Sequence, residues 1–275
     1  FVIFRCIHYG TTQRTRIYNG MMSYLGQYPF QVSLQRNDSH VCGATILTPI
    51  WMLTAAHCFM SKDGAQFNGT KNYTILAGTI DLREAGIRRP VAEIVLHAFN
   101  AKLAINDIAL VRLEKPLPFN GHISAVELPI NDTVVEEGTT VTVIGWGKTE
   151  KGSSSAILRT VDIELYTIKT CNGLLRTPPN KNDICAGITT GGKGACVGDS
   201  GGPLLMNGVQ EGIVSWGSKK CASLPYPLGV YTNVALYVDW IKEHTEERRR
   251  KSHVVMTEYD IPNIDARLYK YWLIK

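Results

Sequence analysis

The stretch GGKGACVGDSGGPL, residues 191–204, holds six glycines around a single Asp–Ser pair, Asp199 and Ser200. Glycine has no side chain and adopts backbone angles that other residues avoid, so this density predicts tight turns and close approach of the backbone. Such a loop presents a serine hydroxyl at a fixed position. Gly194 lies six residues before Ser200 and has no side chain, so the role of that position also needs an explanation.

Short alternating or β-branched segments dominate the chain and are separated by Gly, Pro, Asn and Ser clusters, a spacing typical of antiparallel barrels or sandwiches. The segments are FQVSLQ (30–35), NYTILAG (72–78), DIALVRL (107–113), TVTVIGW (140–146) and EGIVSWG (211–217). The one clear helix signal comes late, with Val234, Tyr237, Val238 and Ile241 at i, i+3, i+4 and i+7. We therefore predict an all-β fold with a C-terminal helix near residues 234–245.

The composition narrows the function classes. The 275 residues are 44% hydrophobic and 19% charged, which fits a globular protein with a sizeable core. The sequence contains no run of about 18 apolar residues, so it predicts no membrane span. Of the net charge of +5, residues 1–16 carry +3 and residues 246–275 carry +2, so residues 17–245 have no net charge. A nucleic-acid-binding domain would concentrate positive charge on its folded part, so we expect neither nucleic acid nor a membrane as partner.

Cysteines and glycosylation sequons indicate an oxidising compartment. The seven cysteines form no CxxC pair and no metal-ligand pattern with histidine. Four N-x-S/T sequons begin at Asn37, Asn68, Asn72 and Asn131. Together these features favour a secreted glycoprotein, with a reduced cytosolic protein as the alternative. The chain begins at Phe1 rather than Met, so we expect a preceding segment.

Three residues combine into one chemistry. A serine hydroxyl such as that of Ser200 is a weak nucleophile until a base removes its proton, and imidazole, as in His57, titrates near neutral pH. A buried carboxylate such as Asp107 can then orient the imidazole and stabilise its charged form. Singly, each residue has a structural explanation: a core histidine, a turn aspartate and a glycine-rich loop. Their joint occurrence within their surroundings favours catalysis.

The surroundings of these residues resemble the chymotrypsin family of serine peptidases, over residues 17–245. The matching motifs are TAAHC (54–58), DIALVRL (107–113), GWG (145–147), GDSGGP (198–203), SWG (215–217) and GVYT (229–232). The resemblance implies two antiparallel β-barrels, an N-terminal one at about 17–123 and a C-terminal one at about 124–245, with the site in the cleft between them. It also implies a secreted, monomeric peptidase that acts on proteins and peptides and meets protein inhibitors.

The resemblance also assigns roles. His57 would be the general base and then acid, Asp107 its orienting carboxylate, and Ser200 the nucleophile, with the N–H groups of Gly198 and Ser200 as the oxyanion hole. Six cysteines allow 15 pairings. The family pattern implies Cys42–Cys58, Cys171–Cys185 and Cys196–Cys221. Val141 and Met206 stand where vertebrate members often have a further bridge, which predicts an apolar contact instead.

The segment RTRIYNG (14–20) resembles the activation junction of the family. The resemblance implies that an activating peptidase cuts after Arg16, and that the new Ile17 ammonium pairs with Asp199. Residues 1–16 would then be a propeptide, with Cys6 left over, either free or paired between molecules. The composition of residues 246–275 predicts a charged, disordered extension, with a membrane-surface or partner-binding peptide built on Tyr269, Tyr271 and Trp272 as the alternative.

The substrate preference follows from the position of Gly194. Trypsin-like members carry an aspartate there, and no acidic residue lies in CASLPYPLGVY (221–231). Ser215 and Trp216, with Gly217 and Gly229, would line an open, uncharged slot. We expect cleavage after Phe, Tyr, Leu or Met, with an elastase-like preference as the alternative.

Two further expectations concern metal binding and a function without catalysis. The positions of the trypsin calcium ligands fall near Thr79 and Arg89. Neither is acidic, so we expect no metal and no cofactor. The competing function is a catalytically silent homologue that acts as a binding protein, because fold alone does not settle function.

Overall fold

The computed structural model of the chain describes residues 20–61, 64–67, 69–130 and 136–246. The predictions for the propeptide, Cys6, Arg16 and Ile17 lie outside these residues. So do those for the sequons at Asn68 and Asn131 and for the extension beyond residue 246. Asn37 and Asn72 are described, and both are exposed.

Thirteen strands form within the described residues. They are β1 (Met21–Met22), β2 (Gln31–Arg36), β3 (Ser39–Ile46), β4 (Trp51–Thr54), β5 (Tyr73–Ala77), β6 (Ile87–Leu96), β7 (Ala109–Leu113), β8 (Thr140–Gly145), β9 (Arg159–Tyr166), β10 (Asp183–Gly187), β11 (Pro203–Met206), β12 (Val209–Gly217) and β13 (Gly229–Asn233). Every pairing between them is antiparallel. The segments singled out by alternation each overlap one of these strands.

The strands close into two six-stranded barrels, which confirms the predicted fold class. The first has the order β2-β3-β4-β7-β6-β5. The second has the order β9-β10-β13-β12-β11-β8 and closes through the β8–β9 pairing, with β1 added at β9. Each barrel strand pairs with a neighbour on both sides over at least part of its length, and inward-facing side chains can fill the interior.

Four helical segments complete the described chain. They are a 3-10 helix at Ala56–Phe59, α1 at Ile168–Leu174, a 3-10 helix at Val234–Tyr237 and α2 at 238–246. The side chain of Thr167 caps α1 by accepting a hydrogen bond from the Thr170 amide. The predicted C-terminal helix is thus confirmed, with its first turn in the tighter 3-10 form. None of the helices in the described ranges is long and apolar enough to span a membrane.

The three predicted disulfides are all formed. The Cα–Cα distances are 6.3 Å for Cys42–Cys58, 6.4 Å for Cys171–Cys185 and 5.3 Å for Cys196–Cys221, within the usual range. Val141 belongs to a buried cluster in the second barrel, and Met206 packs against that cluster. Apolar packing therefore takes the place of the further disulfide that vertebrate members often have at these two positions.

Candidate active site

The first barrel brings His57 and Asp107 together. His57 lies in the 3-10 helix that follows β4, and Asp107 lies two residues before β7, the strand that pairs with β4. The His57 Nδ1 atom is 2.7 Å from Asp107 Oδ2, and the His57 backbone amide donates to Oδ1 at 2.8 Å. Two bonds from one residue to both carboxylate oxygens fix the ring and its loop relative to the carboxylate.

The second barrel completes the surroundings of Asp107. The Ser215 hydroxyl, on β12, donates to Asp107 Oδ2 at 2.5 Å, and the Thr232 hydroxyl, on β13, donates to the Asp107 backbone carbonyl at 3.0 Å. The Asp107 side chain is 2% exposed, whereas the His57 side chain is 32% exposed. The carboxylate is thus shielded from water while the imidazole stays accessible from the surface.

The electrostatics of the pair favour a charged imidazole. Burial by itself would lower the pKa of His57, but the charge and the hydrogen bond of Asp107 outweigh it and raise that pKa above its ordinary value. Burial would likewise raise the pKa of Asp107, yet the His57 charge and the hydrogen bonds from His57 and Ser215 lower it. The arrangement can therefore accept a proton on the imidazole while the carboxylate remains ionised.

The loop that carries Ser200 turns tightly at Gly198. Its φ is +101°, and a Cβ there would meet the Cα atom of Gly147 at 3.0 Å, so only glycine fits without strain. The amides of Asp199 and Gly201 donate to the carbonyls of Cys196 and Val214. Among the described residues, no hydrogen bond uses the amides of Gly198 or Ser200. These two N–H groups are the ones that the sequence assigned to an oxyanion hole.

Asp199 is buried beneath this loop, with 0% of the residue exposed. Its carboxylate accepts hydrogen bonds from the amides of Gly147 at 2.7 Å and Cys196 at 2.9 Å. Burial raises the pKa of Asp199 to about 6, and these two bonds only partly oppose the shift. A nearby cation would stabilise the ionised form.

Backbone contacts bring the Ser200 loop against the first barrel. The Gly43 amide, on β3, donates to the Ser200 carbonyl at 2.8 Å. A Cβ on Gly201 would lie 3.1 Å from the backbone nitrogen of Ala55, two residues before His57. The structure thus places Ser200 beside the segment that leads into the histidine.

Sequence reasoning missed His40. Its Nδ1 atom accepts from the Ser33 hydroxyl at 2.8 Å, and its Nε2 donates to the Gly198 carbonyl at 2.8 Å. Burial lowers the pKa of His40, with the Gly198 bond opposing the shift, so a neutral ring holds the loop. The sequence offers one signal, a histidine two residues before Cys42, but nothing in it points to Gly198.

A cavity of about 280 Å³ opens beside Ser200. All five residues that the sequence assigned to a specificity pocket line it: Gly194, Ser215, Trp216, Gly217 and Gly229. Sequence reasoning did not assign other lining residues, which include Ala222, Leu228 and Tyr231.

The floor and walls of this cavity carry little charge. A Cβ on Gly194 would meet the Cβ atom of Ala222 at 3.3 Å, and one on Gly229 would meet the Tyr231 hydroxyl at 3.2 Å. Its lining contains no carboxylate and a single cation, Lys219. The cavity can therefore take an apolar side chain but offers no counter-ion to a basic one.

One cluster in the described part of the chain has the residue types of a metal site, namely Cys42, His57 and Cys58. Both sulfurs are joined in a disulfide, so they are not available as thiolate ligands. This cluster does not fit a metal ion.

Comparisons with known proteins found a matching family profile and similar chains. The family profile named Trypsin matches residues 17–241. The chain is 34% identical over 240 residues to a trypsin of Phaedon cochleariae, which covers 86% of this chain and 91% of that protein. It is 36% identical over 247 residues to the suppressor of tumorigenicity 14 protein homolog of Bos taurus, covering 84% of this chain and 28% of that protein. The chain thus spans little more than a quarter of the bovine relative.

A solved structure agrees with these matches. The human heparin binding protein superposes with a TM-score of 0.71 and 27% sequence identity, over 82% of this chain and 94% of that one.

Proposed function

Since the chain belongs to the trypsin family and is a serine endopeptidase, we propose that His57, Asp107 and Ser200 are its catalytic triad and that it cleaves after large apolar or aromatic residues. The observation that carries the proposal is the His57–Asp107 pair, held by two hydrogen bonds beside the Ser200 loop and a cavity without a carboxylate.

The proposed mechanism follows the geometry. Ser200 Oγ attacks the carbonyl carbon of the scissile bond while His57 Nε2 takes its proton. The Gly198 and Ser200 N–H groups stabilise the oxyanion, and Asp107 stabilises the imidazolium. His57 then donates the proton to the leaving amine, which departs and leaves an acyl-enzyme. A water molecule, deprotonated by His57, attacks the acyl carbon, and the Ser200 hydroxyl is regenerated as the acid is released.

A labelling experiment tests the triad. The enzyme cut after Arg16 should react with a fluorophosphonate probe at Ser200, and Ser200→Ala should abolish labelling. Ser154→Ala, an exposed serine between β8 and β9 that lines neither the specificity cavity nor its neighbouring cleft, is the control and should label fully. Undiminished labelling of Ser200→Ala would contradict the assignment.

A cavity lining without any carboxylate supports the preference for large apolar residues. An aromatic ring buries about 150–250 Å². At about 25 cal/mol per Å², full burial contributes about 4–6 kcal/mol before the entropic cost of binding. A lysine would lose its hydration with no carboxylate in the lining to replace it.

An elastase-like preference is disfavoured by the open walls. A Cβ on Gly217 would find its nearest neighbours at 3.7 Å, so no side chain narrows the cavity there. Profiling the activated enzyme on a peptide library tests the preference. Faster cleavage after Arg, Lys or Ala than after Phe and Tyr would overturn it.

Activation is the third part of the proposal. Among the described residues, Asp199 has only backbone amides as hydrogen-bond partners, and burial raises the pKa of its carboxyl to about 6. An Ile17 ammonium released by cleavage after Arg16 would supply the missing cation and hold the oxyanion loop. An Arg16→Gln chain should stay inactive after treatment with an Arg-specific peptidase. Full activity of that intact chain would refute this step.

The compartment and partners are also proposed. Three disulfides and exposed asparagines in the sequons at Asn37 and Asn72 support secretion, which is typical of the family. We propose that the peptidase acts as a monomer on protein substrates and is controlled by protein inhibitors.

The second candidate is a binding protein on the same fold, since one structural relative is a heparin binding protein. The fluorophosphonate experiment separates the two, because a silent homologue would not label.

A further inference from the structure

A second cleft adjoins the specificity cavity. This basic cleft has a volume of about 640 Å³, and its lining includes Arg176, Trp216, Lys219, Lys220, Leu224 and Tyr226. It shares four lining residues with the specificity cavity, from Trp216 to Lys219. A substrate that fills the specificity cavity therefore has this cleft beside it.

The charge of the cleft is one-sided. Its twelve lining residues include three cations, Arg176, Lys219 and Lys220, and no Asp or Glu. All three cations are exposed. None of the ion pairs in the described ranges involves any of them. The cations therefore remain available to an anionic group that enters the cleft.

The segment that carries the two lysines is held in place. Cys221 is bridged to Cys196, and the Ala222 carbonyl accepts from the Gly192 amide at 2.7 Å. The Lys220 amide donates to the Ser218 hydroxyl at 3.3 Å. The backbone beneath the lysines is thus fixed on both sides, so little ordering is required of it on binding.

The third cation reaches the cleft from a different element. Arg176 follows α1, and its neighbour Leu175 is buried in a cluster with Cys171 and Leu228. Trp216 packs against the same cluster. The apolar anchor fixes the backbone next to Arg176, which lines the same cleft as the two lysines.

The end of β12 offers a path for a peptide into the cleft. β11 pairs with β12 from Val209 to Ile213, whereas β13 pairs with it as far as Gly217. In the sheet pairings of the described residues, Trp216 and Gly217 thus pair with β13 on one side and with no strand on the other. An extended peptide can add to such an edge as a further strand. Its residues on the amino side of the scissile bond would then pass Trp216 toward the cations.

We propose that the basic cleft selects substrates with an acidic residue two to four positions on the amino side of the cleaved bond, a proposal that rests on the function proposed above. A carboxylate there would face three cations that have no partner of their own among the described residues. Because the cations are exposed and hydrated, the gain is modest and falls with salt.

Matched peptides test the proposal. Each pair has Phe at the cleaved bond and differs only by Asp against its isostere Asn, placed at the second, third or fourth residue before that bond. The quantity measured is the ratio of kcat/KM for the Asp peptide to that for the Asn peptide. At low ionic strength we expect a ratio of about 3 to 10 at one or more positions. In about 1 M NaCl, where the Debye length is about 3 Å, the ratio should approach one.

Variants assign the effect to the cleft. Arg176→Ala/Lys220→Ala removes the two cations that line only the basic cleft, and it should bring the ratio close to one. Lys115→Ala, an exposed lysine after β7, should keep the parental ratio. Because the ratio is internal to each variant, a general loss of activity does not affect it.

The outcomes separate the two proposals. Failure to cleave any of the peptides, with cleavage of other sequences, would contradict the proposed apolar preference. Cleavage with a ratio near one at all three positions in the parent would overturn the basic cleft alone. A parental ratio that survives in the double variant would also overturn it, because the selectivity would then arise elsewhere.

Discussion

Ser215→Ala tests how the charge of Asp107 is shared. In the parent, the Ser215 hydroxyl and the His57 ring both bond to the same oxygen, Asp107 Oδ2, at 2.5 and 2.7 Å. Two donors on one oxygen compete for its charge, so removal of the serine hydroxyl leaves more negative charge for His57. The pKa of His57, already raised by Asp107, should therefore rise further.

The size of the shift follows from the lost bond. A hydrogen bond to a charged group contributes about 1.5–3 kcal/mol. If about half of this is transferred to the His57–Asp107 interaction, the pKa of His57 rises by about 0.5–1 unit, at about 1.36 kcal/mol per unit. His57 keeps both of its bonds to Asp107. The plateau rate should therefore fall by much less than the ~10²–10⁴ that a general base contributes.

The assay is kcat/KM against pH for the enzyme cut after Arg16. Under the proposed mechanism, activity requires neutral His57 and is lost as pH falls through its pKa, so a raised pKa moves the acid limb of the profile to higher pH. Ser33→Ala is the matched control. It removes a buried hydroxyl from His40, which is not the base, and should leave the limb in place. If the acid limb of the Ser215→Ala profile stays in place or moves to lower pH, the argument that two donors share Asp107 Oδ2 is refuted.

Three further substitutions probe the cavity, the loop and the surface. Gly194→Asp places a carboxylate on the cavity floor against Ala222, so cleavage after Phe should fall at least about tenfold relative to cleavage after Lys, measured on paired peptides. Gly201→Ala should lower the free energy of unfolding by about 1–3 kcal/mol, measured by denaturant titration, because φ is +77° and the Cβ would overlap the Thr54 hydroxyl. Asn72→Gln should reduce the mass of the secreted protein by one glycan in mass spectrometry, and an unchanged mass would exclude that site.

Local patterns were enough to predict an all-β fold, whereas the two barrels followed from the resemblance of motifs. The alternation in TVTVIGW and EGIVSWG predicted β8 and β12, because a period of two is what a half-buried strand requires. The bounds were less accurate at DIALVRL, where the strand begins at Ala109 rather than at residue 107. The Asp107 carbonyl accepts from the Thr232 side chain, and its carboxylate binds His57, so the residue serves the site rather than the sheet.

The candidate site was predicted only in part. The pairing of His57 with Asp107 and the lining by Gly194 followed from resemblance of motifs. The bond between His40 and Gly198 joins residues 158 positions apart, and no periodicity or spacing encodes such a contact. The same holds for Arg176, which lines the basic cleft beside Trp216 and follows Leu175, a residue buried against Cys185 and Val230 of the second barrel.

The distribution of hydrogen bonds explains why a site divided between two barrels can be rigid. Asp107 comes from the first barrel, but Ser215 and Thr232 of the second barrel bind it. Ser200 comes from the second barrel, but Gly43 of the first binds its carbonyl. Each barrel thus fixes the residue that the other contributes. A relative movement of the barrels would break all three bonds at once. The bond from Ser215 to the charged carboxylate contributes about 1.5–3 kcal/mol, and each of the two bonds to backbone carbonyls about 0.5–1.5 kcal/mol. The catalytic geometry and the barrel interface are therefore stabilised by the same contacts, so substitutions at Ser215 or Thr232 should affect activity and stability together.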